Sequence, residues 1–322
     1  MRTTLSLRSV LFAALTALAI PATQSFAAAP QVKTSAPGFY RVMLGQFEVT
    51  ALSDGTVELP VDKLLTNTTP EKVGKALHKA HQHSPLETSV NAYLINTGNK
   101  LVLIDTGAGS LFGPTLGKML SNLKAAGYSP EQVDEIYITH MHPDHVGGLM
   151  NGETMVFPNA VVRADQHDVD FWLSQANLEK APADAKGFFQ GAMASLNPYI
   201  KAGKFKAFEG DTELQPGIRA IASHGHTAGH TIYQISSQNQ QLVLWGDLMH
   251  VAAVQFAEPS VTIQFDTDNK AAAAERKKAY ASAAGSGAMI GAAHLSFPGL
   301  GYVRGDKKAY AFTPVNYSPV KP

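Results

Sequence analysis

The chain has 322 residues, 45% of them apolar, with Lys+Arg and Asp+Glu balanced at 26 each and no cysteine. A neutral balance argues against the basic footprint of a nucleic-acid binder. Zero Cys excludes a disulfide framework and any thiolate ligand, so a metal here must be held by nitrogen and oxygen.

The first stretch reads as an export signal. Arg2 and Arg8 bound a basic n-region, and 10–20 is an apolar run too short to span a bilayer. Ser25-Phe26-Ala27 and Ala27-Ala28-Ala29 both offer small-x-small cleavage sites. Residues 1–29 are therefore expected to be a secretory signal peptide, and 30–322 a single mature domain, periplasmic or secreted. No second apolar run predicts a membrane span, and the mature length suffices for a well-buried core.

Residues 31–37 read as an unstructured lead-in. Strands are predicted over 39–44 and 47–52, with Asp54-Gly55 as a hairpin turn before a strand at 56–59. A helix over 71–83 carries His78, His81 and His83 on a polar, solvated stretch. Strands at 90–95 and 101–104 flank Gly98-Asn99, and Asp105-Thr106-Gly107 follows at the strand end. A helix over 114–126 should stop at Gly127. Ser129-Pro130-Glu131-Gln132 then has the cap, N1 proline and capping-box Gln of a short helical turn.

The strand at 136–139 runs into His140-Met141-His142-Pro143-Asp144-His145, four potential ligands within six residues. An extended H-x-H sends both imidazoles to one side of the chain, and the following turn brings Asp144 and His145 to a second point nearby. Such loops at the C-terminal ends of strands are where α/β sheets build sites. A strand at 160–163 and helices at 166–175 and 187–200 come next, with a polar loop at 178–186; His167 reads as packed or solvated. Strands are expected at 205–208, 218–222, 231–235 and 242–245. A helix over 269–284 has Asp268 as its N-cap and Gly285 as its stop. A small-residue strand at 288–292 leads to His294. Two β-rich halves with helices outside predict an α/β fold, a four-layer αββα sandwich.

Three later features also lie just past strand ends: Ser223-His224-Gly225-His226-Thr227-Ala228-Gly229-His230, Trp245-Gly246-Asp247 and Ala293-His294. Together with the first loop, their order resembles the metallo-β-lactamase superfamily. That resemblance implies a first metal on His140, His142 and His226, a second on Asp144, His145 and His294, and Asp247 bridging both. Asp105 matches a carboxylate that orients a ligand His, while His224 and His230 match no ligand position and read as supporting or turn residues. The implied cofactor is two divalent cations about 3.5–4 Å apart sharing a hydroxide. Zinc is the expected pair, and manganese, iron or cobalt also suit such a site.

Further stretches, among them Ala51-Leu52-Ser53-Asp54-Gly55-Thr56, Leu111-Phe112-Gly113-Pro114-Thr115 and His294-Leu295-Ser296-Phe297-Pro298-Gly299, resemble the methyl parathion hydrolase family. By that resemblance Phe112, Trp172 and Phe188 are aromatic walls of the leaving-group pocket. The chain departs from the family pattern at Leu64, His250, Ile263 and Phe265. Those departures imply a narrower pocket with one added polar group, suited to a flat aryl lactone such as dihydrocoumarin. Asp144 and Asp247 would then hold catalytic geometry, and His250 would polarise a carbonyl, protonate a leaving oxygen or brace a ligand. The expectation is a small-molecule lactone or aryl-ester hydrolase with side activity on organophosphate triesters; the relatives imply a homodimer. Triester hydrolysis as the main activity, and a non-enzymatic periplasmic metal-binding role, are the alternatives.

Overall fold

The computed structural model describes residues 29–306 and 309–320. The expected signal peptide lies outside them apart from Ala29. By its contacts the chain divides into Met1–Ser35 and Ala36–Pro322, and the fold is that of the second unit. Among the described residues no helix is long and apolar enough to cross a membrane.

Two seven-stranded mixed sheets form the frame. The first takes Phe39–Leu44 (β1), Phe47–Leu59 (β2), Leu86–Asn96 (β3), Leu101–Ile104 (β4), Glu135–Tyr137 (β5), Val161–Asp165 (β6) and Phe205–Phe208 (β7) in chain order. Its first four strands pair antiparallel and its last four parallel, β4 belonging to both runs. The second sheet takes Thr212–Gln215 (β8), Ile218–Ala222 (β9), Thr231–Ser237 (β10), Gln240–Leu244 (β11), Met289–Gly291 (β12), Leu300–Gly305 (β13) and Tyr310–Pro314 (β14), again in chain order. Only β11 and β12 pair parallel there. β8, β13 and β14 were not foreseen; the first is short, the second is interrupted by glycine and charge, and the third ends in proline.

Strand alternation sorts the core into layers. In β4, Val102 and Ile104 turn inward to meet Tyr233, Ile235, Leu242 and Leu244 of the opposite sheet. Leu101 and Leu103 turn outward onto Met119 and Leu123 of the Met119–Ala125 helix and onto Leu196 and Tyr199 of the Lys186–Lys201 helix. On the far side, Ile290 and Val303 pack against Tyr280 and Ala283 of the Asn269–Ser286 helix. This is the expected αββα order. Each fully buried Leu, Ile or Val in these layers contributes about 1.5–3 kcal/mol.

Asp54-Gly55 is not a hairpin. β2 runs through it, with a bulge between Ser53 and Gly55 against β3. The Asp54 carboxylate is 1% exposed and accepts N–H bonds from Ala108, Gly117 and Met119 at 2.9–3.0 Å, tying down the loop after β4. Gly55 has φ +118°, and a Cβ there would lie 2.1 Å from the Thr115 carbonyl, so only glycine fits. The same bonds keep 114–118 out of the following helix, which starts at Met119 rather than Pro114. The Ser129–Gln132 capping box forms as expected, and Asp268 caps the long C-terminal helix. That helix passes Gly285 and stops at Gly287, whose φ of 68° makes the left-handed turn. The expected polar loop at 178–186 begins inside a short helix, Gln175–Lys180, capped by Ser174.

Candidate metal centre

His140 follows β5, His226 follows β9, Asp247 follows β11 and His294 follows β12, so four separate strand ends deliver the side chains to one place. Two groups result. His140, His142, His226 and Asp247 form one; Asp144, His145, Asp247 and His294 form the other, the ligating atoms of each lying within 4.8 Å of one another. Asp247 joins them. Its Oδ2 lies 3.0 Å from His294 Nε2, 3.4 Å from His226 Nε2 and 3.6 Å from His140 Nε2, while Oδ1 lies 3.2 Å from His145 Nε2.

Each ring is aimed by what its other nitrogen touches. His145 Nδ1–H donates to Asp105 Oδ2 at 2.8 Å, and His226 Nδ1–H to Asp266 Oδ1 at 2.8 Å. His294 Nδ1–H donates to the Ser89 carbonyl at 2.9 Å, and His140 Nδ1 lies 3.1 Å from Thr139 Oγ1. These bonds set the tautomer and leave Nε2 lone pairs facing the centre. His142 presents Nδ1 instead, 3.1 Å from His226 Nε2.

The donor set fits divalent cations. His140 Nε2, His145 Nε2 and Asp247 Oδ1 are buried without a hydrogen-bond partner, a costly state for polar atoms that lack a ligand. His226 Nε2 and His142 Nδ1 stand 3.1 Å apart, close to the spacing of about 3.3 Å between nitrogen ligands that are each about 2.0–2.1 Å from one zinc.

The electrostatics agree. Burial, reinforced by neighbouring imidazoles, drives His140 and His142 well below the ordinary histidine range, so both are neutral. Burial opposes ionisation of Asp144 and Asp247, but the surrounding imidazoles, His145 foremost, hold both carboxyls below their usual value. Burial also opposes charge on His145, His226 and His294, yet their carboxylate neighbours pull all three upward, His226 to about 9. The field at the centre therefore favours positive charge.

Two supporting carboxylates, Asp266 and Asp168, carry no motif and were not foreseen, whereas His230 takes the supporting role expected of it. Asp266, whose side chain is fully buried, also accepts Ile263 N–H at 3.1 Å and faces the buried Arg276 guanidinium at 3.8 Å. Asp168 accepts N–H bonds from Met141 at 2.9 Å and Gly229 at 2.6 Å, joining the two ligand-bearing loops. His230 Nε2 accepts the Asp247 backbone N–H at 3.1 Å while its Nδ1–H donates to the Ser223 carbonyl. Burial lowers that ring to about 3, keeping it a neutral acceptor. Asp105 lies where expected, also accepting Thr139 N–H and Oγ1–H at 2.8 Å.

A cavity of about 150 Å³ opens over the centre. Val57, Leu59, Phe112, Leu116, Phe188 and Phe265 form its apolar walls, and His142, Asp144, Asp247, His250 and His294 its polar floor. Leu64, Trp172 and Ile263 stand one layer behind instead. Ile263 pairs with Leu65 in a two-stranded ribbon and is fully buried, and Leu64 packs on the same cluster. Trp172 belongs to the helix-covered core and meets His142 edge-on at 5.1 Å. His250 reaches both surfaces: it lines the cavity, its Nε2 lies 3.1 Å from Asp247 Oδ2, and its ring stacks on His294 at 4.9 Å. The helix expected over 71–83 spans Pro70–Lys79, so His78 lies in its last turn and His81 and His83 beyond it; all three are exposed.

A family model described as the metallo-beta-lactamase superfamily matches residues 86–281. An N-acyl homoserine lactonase of Bacillus sp is 30% identical over 178 residues, 49% of this chain and 63% of that protein, so the chain spans under two thirds of that relative. A beta-lactamase-like protein 2 homolog of Caenorhabditis elegans is 27% identical over 57% of this chain and 53% of its own length. Among solved structures, a hydrolase of the beta lactamase superfamily, AbOPH, superposes with TM-score 0.85 at 37% identity, covering 89% of this chain and 100% of its own. AidC, a dizinc quorum-quenching lactonase in complex with a product, N-hexanoyl-L-homoserine, gives TM-score 0.82 at 27% identity over 88% of this chain and 99% of its own. With a family match over more than half of its length, on this sandwich and these His/Asp clusters, the chain belongs to the metallo-beta-lactamase superfamily.

Proposed function

We propose that the protein is a binuclear metal-dependent hydrolase that opens lactones and aryl esters of the dihydrocoumarin type, with organophosphate triesters as slower substrates. The cavity carries this reading: three phenylalanines and three aliphatic side chains face a floor of imidazole and carboxylate groups. A flat aromatic ring fits between such walls, whereas a tetrahedral phosphotriester needs more depth. The Bacillus lactonases and AidC support ester-ring opening as the reaction class.

Two divalent cations, zinc foremost, would be held by His140, His142 and His226 and by Asp144, His145 and His294, with Asp247 between them. When bound they supply Lewis acidity and a water ionised near neutral pH. The chain's own residues do the rest. Phe112, Phe188 and Phe265 bind the ring and exclude water, and Asp247, held by five imidazoles, fixes the floor. His250 is neutral, burial lowering it to about 4 against the pull of Asp247. Its Nε2–H is committed to Asp247 Oδ2, so it braces that carboxylate and has no second proton to give a leaving group.

The test is a side-by-side assay of the metal-loaded protein on dihydrocoumarin, N-hexanoyl-homoserine lactone and methyl parathion. The expected order places dihydrocoumarin first in kcat/KM. Methyl parathion matching or exceeding both lactones would make triester hydrolysis the main activity. We also propose export, which N-terminal sequencing of the secreted or periplasmic protein checks: cleavage is expected after Ala27 or Ala29.

A further inference from the structure

Away from the catalytic centre, metal-ligating side chains converge again at Asp165, His167 and His224, which share no residue with the two groups above. Asp165 ends β6 and caps the Gln166–Trp172 helix: its Oδ1 accepts the His167 backbone N–H at 2.8 Å and lies 2.8 Å from the His167 ring Nδ1. Its Oδ2 is left over. Asp165 is 1% exposed, and that oxygen accepts no hydrogen bond. His224 Nε2 faces it at 3.5 Å, equally buried and equally without a hydrogen-bond partner. The two imidazole rings lie 4.7 Å apart, and the His167 side chain, 58% exposed, leaves the cluster open to solvent.

A buried carboxylate oxygen and a buried ring nitrogen that face each other slightly beyond hydrogen-bond range are poorly satisfied by one another. They are well placed for a shared cation. Ligand atoms about 2.0–2.2 Å from a tetrahedral zinc lie about 3.3 Å apart. The observed separations of 2.8 and 3.5 Å fall on either side of that spacing. Two imidazoles and one carboxylate favour zinc and its transition-metal neighbours over magnesium or calcium, which prefer all-oxygen shells.

We propose that Asp165, His167 and His224 form a third divalent-cation site, with solvent completing the coordination. Its place gives it a consequence. The Gln166–Trp172 helix also carries Asp168, which binds Met141 N–H, Gly229 N–H and Thr227 Oγ1–H. A cation at the third site clamps the loop bearing His226 onto the helix that already ties both ligand loops together. It is a stabilising clip, separate from the reaction.

The full chain, loaded with two zinc equivalents, is titrated with further zinc against a chromophoric chelator, and bound metal is counted by native mass spectrometry. A third, weaker equivalent is expected, accompanied by a rise in thermal midpoint. His167→Gln and His224→Gln should each lose that equivalent and the rise while keeping the first two. The site is refuted if the wild type binds no third equivalent, or if His167→Gln retains it. Because His167 is largely exposed, its variant folds and decides the matter even if His224→Gln does not.

Discussion

The floor and the walls of the cavity are built by opposite means. Imidazoles of the metal centre are gripped from both ring nitrogens, as His145 is between Asp105 and Asp247, and as His226 is between Asp266 and Asp247. The walls are held by packing alone: Phe112, on the loop after β4, is 43% exposed, and Phe188 is half-buried at the start of its helix. A floor of interlocked polar groups fails as a unit when one is removed, because each loss leaves buried partners unsatisfied. A wall of independent apolar side chains changes by degrees. Chemistry is therefore expected to be brittle and substrate range pliable, on one scaffold.

The largest break is at the hub. Asp247→Ala removes the one carboxylate common to both clusters and leaves five surrounding imidazoles without it. Loss of bound metal and of nearly all lactone hydrolysis is expected, on the order of 10³-fold or more in kcat/KM, comparable with losing a principal electrostatic group. Metal content and turnover measured on the same sample check it. Full turnover in this variant would sink the binuclear reading.

One step outward the effect should shrink. Asp266→Asn keeps shape but replaces the charged acceptor of His226 Nδ1–H, and it weakens the pairing with Arg276. Supporting carboxylates of this kind are worth roughly 10–100-fold in metal affinity. Competition against a chelator should show that loss at the His140–His142–His226 site while His145 and His294 keep their hold. Equal weakening of both sites would mean that the floor cannot be divided as the hydrogen bonds divide it.

That contrast also explains what could be read beforehand. Ligands clustered as H-x-H-x-D-H are dictated by local chain geometry, and their spacing carries the chemistry directly. Asp266 lies 40 residues from His226 in no motif, so only the folded chain reveals its role. Asp54-Gly55 shows the reverse error. A dipeptide with strong turn preference was overruled because three backbone N–H groups of a distant loop needed its carboxylate. Leu64 and Ile263 were expected in the pocket from the family resemblance, but pairing of Ile263 with Leu65 buries it, and Leu64, just ahead of that ribbon, packs on the same buried cluster. Pattern predicts the layers; tertiary pairing decides which way a short ribbon faces.

His250 sits on the seam between floor and walls, and so makes the finest test. It binds Asp247 Oδ2 and stacks on His294 like a floor residue, yet it lines the cavity 6.0 Å from the Phe265 ring like a wall residue. His250→Leu removes the brace and adds apolar surface without removing any member of the two ligand clusters. A role as proton donor would cost lactone turnover steeply and alter its pH profile. The geometry instead predicts retained metal and a modest fall in lactone kcat. The ratio of phosphotriester to lactone kcat/KM should rise on the order of tenfold, the scale of a single apolar contact change in a pocket. An unchanged ratio would assign His250 wholly to the floor; a collapse of lactone turnover at full metal occupancy would make it a proton donor after all.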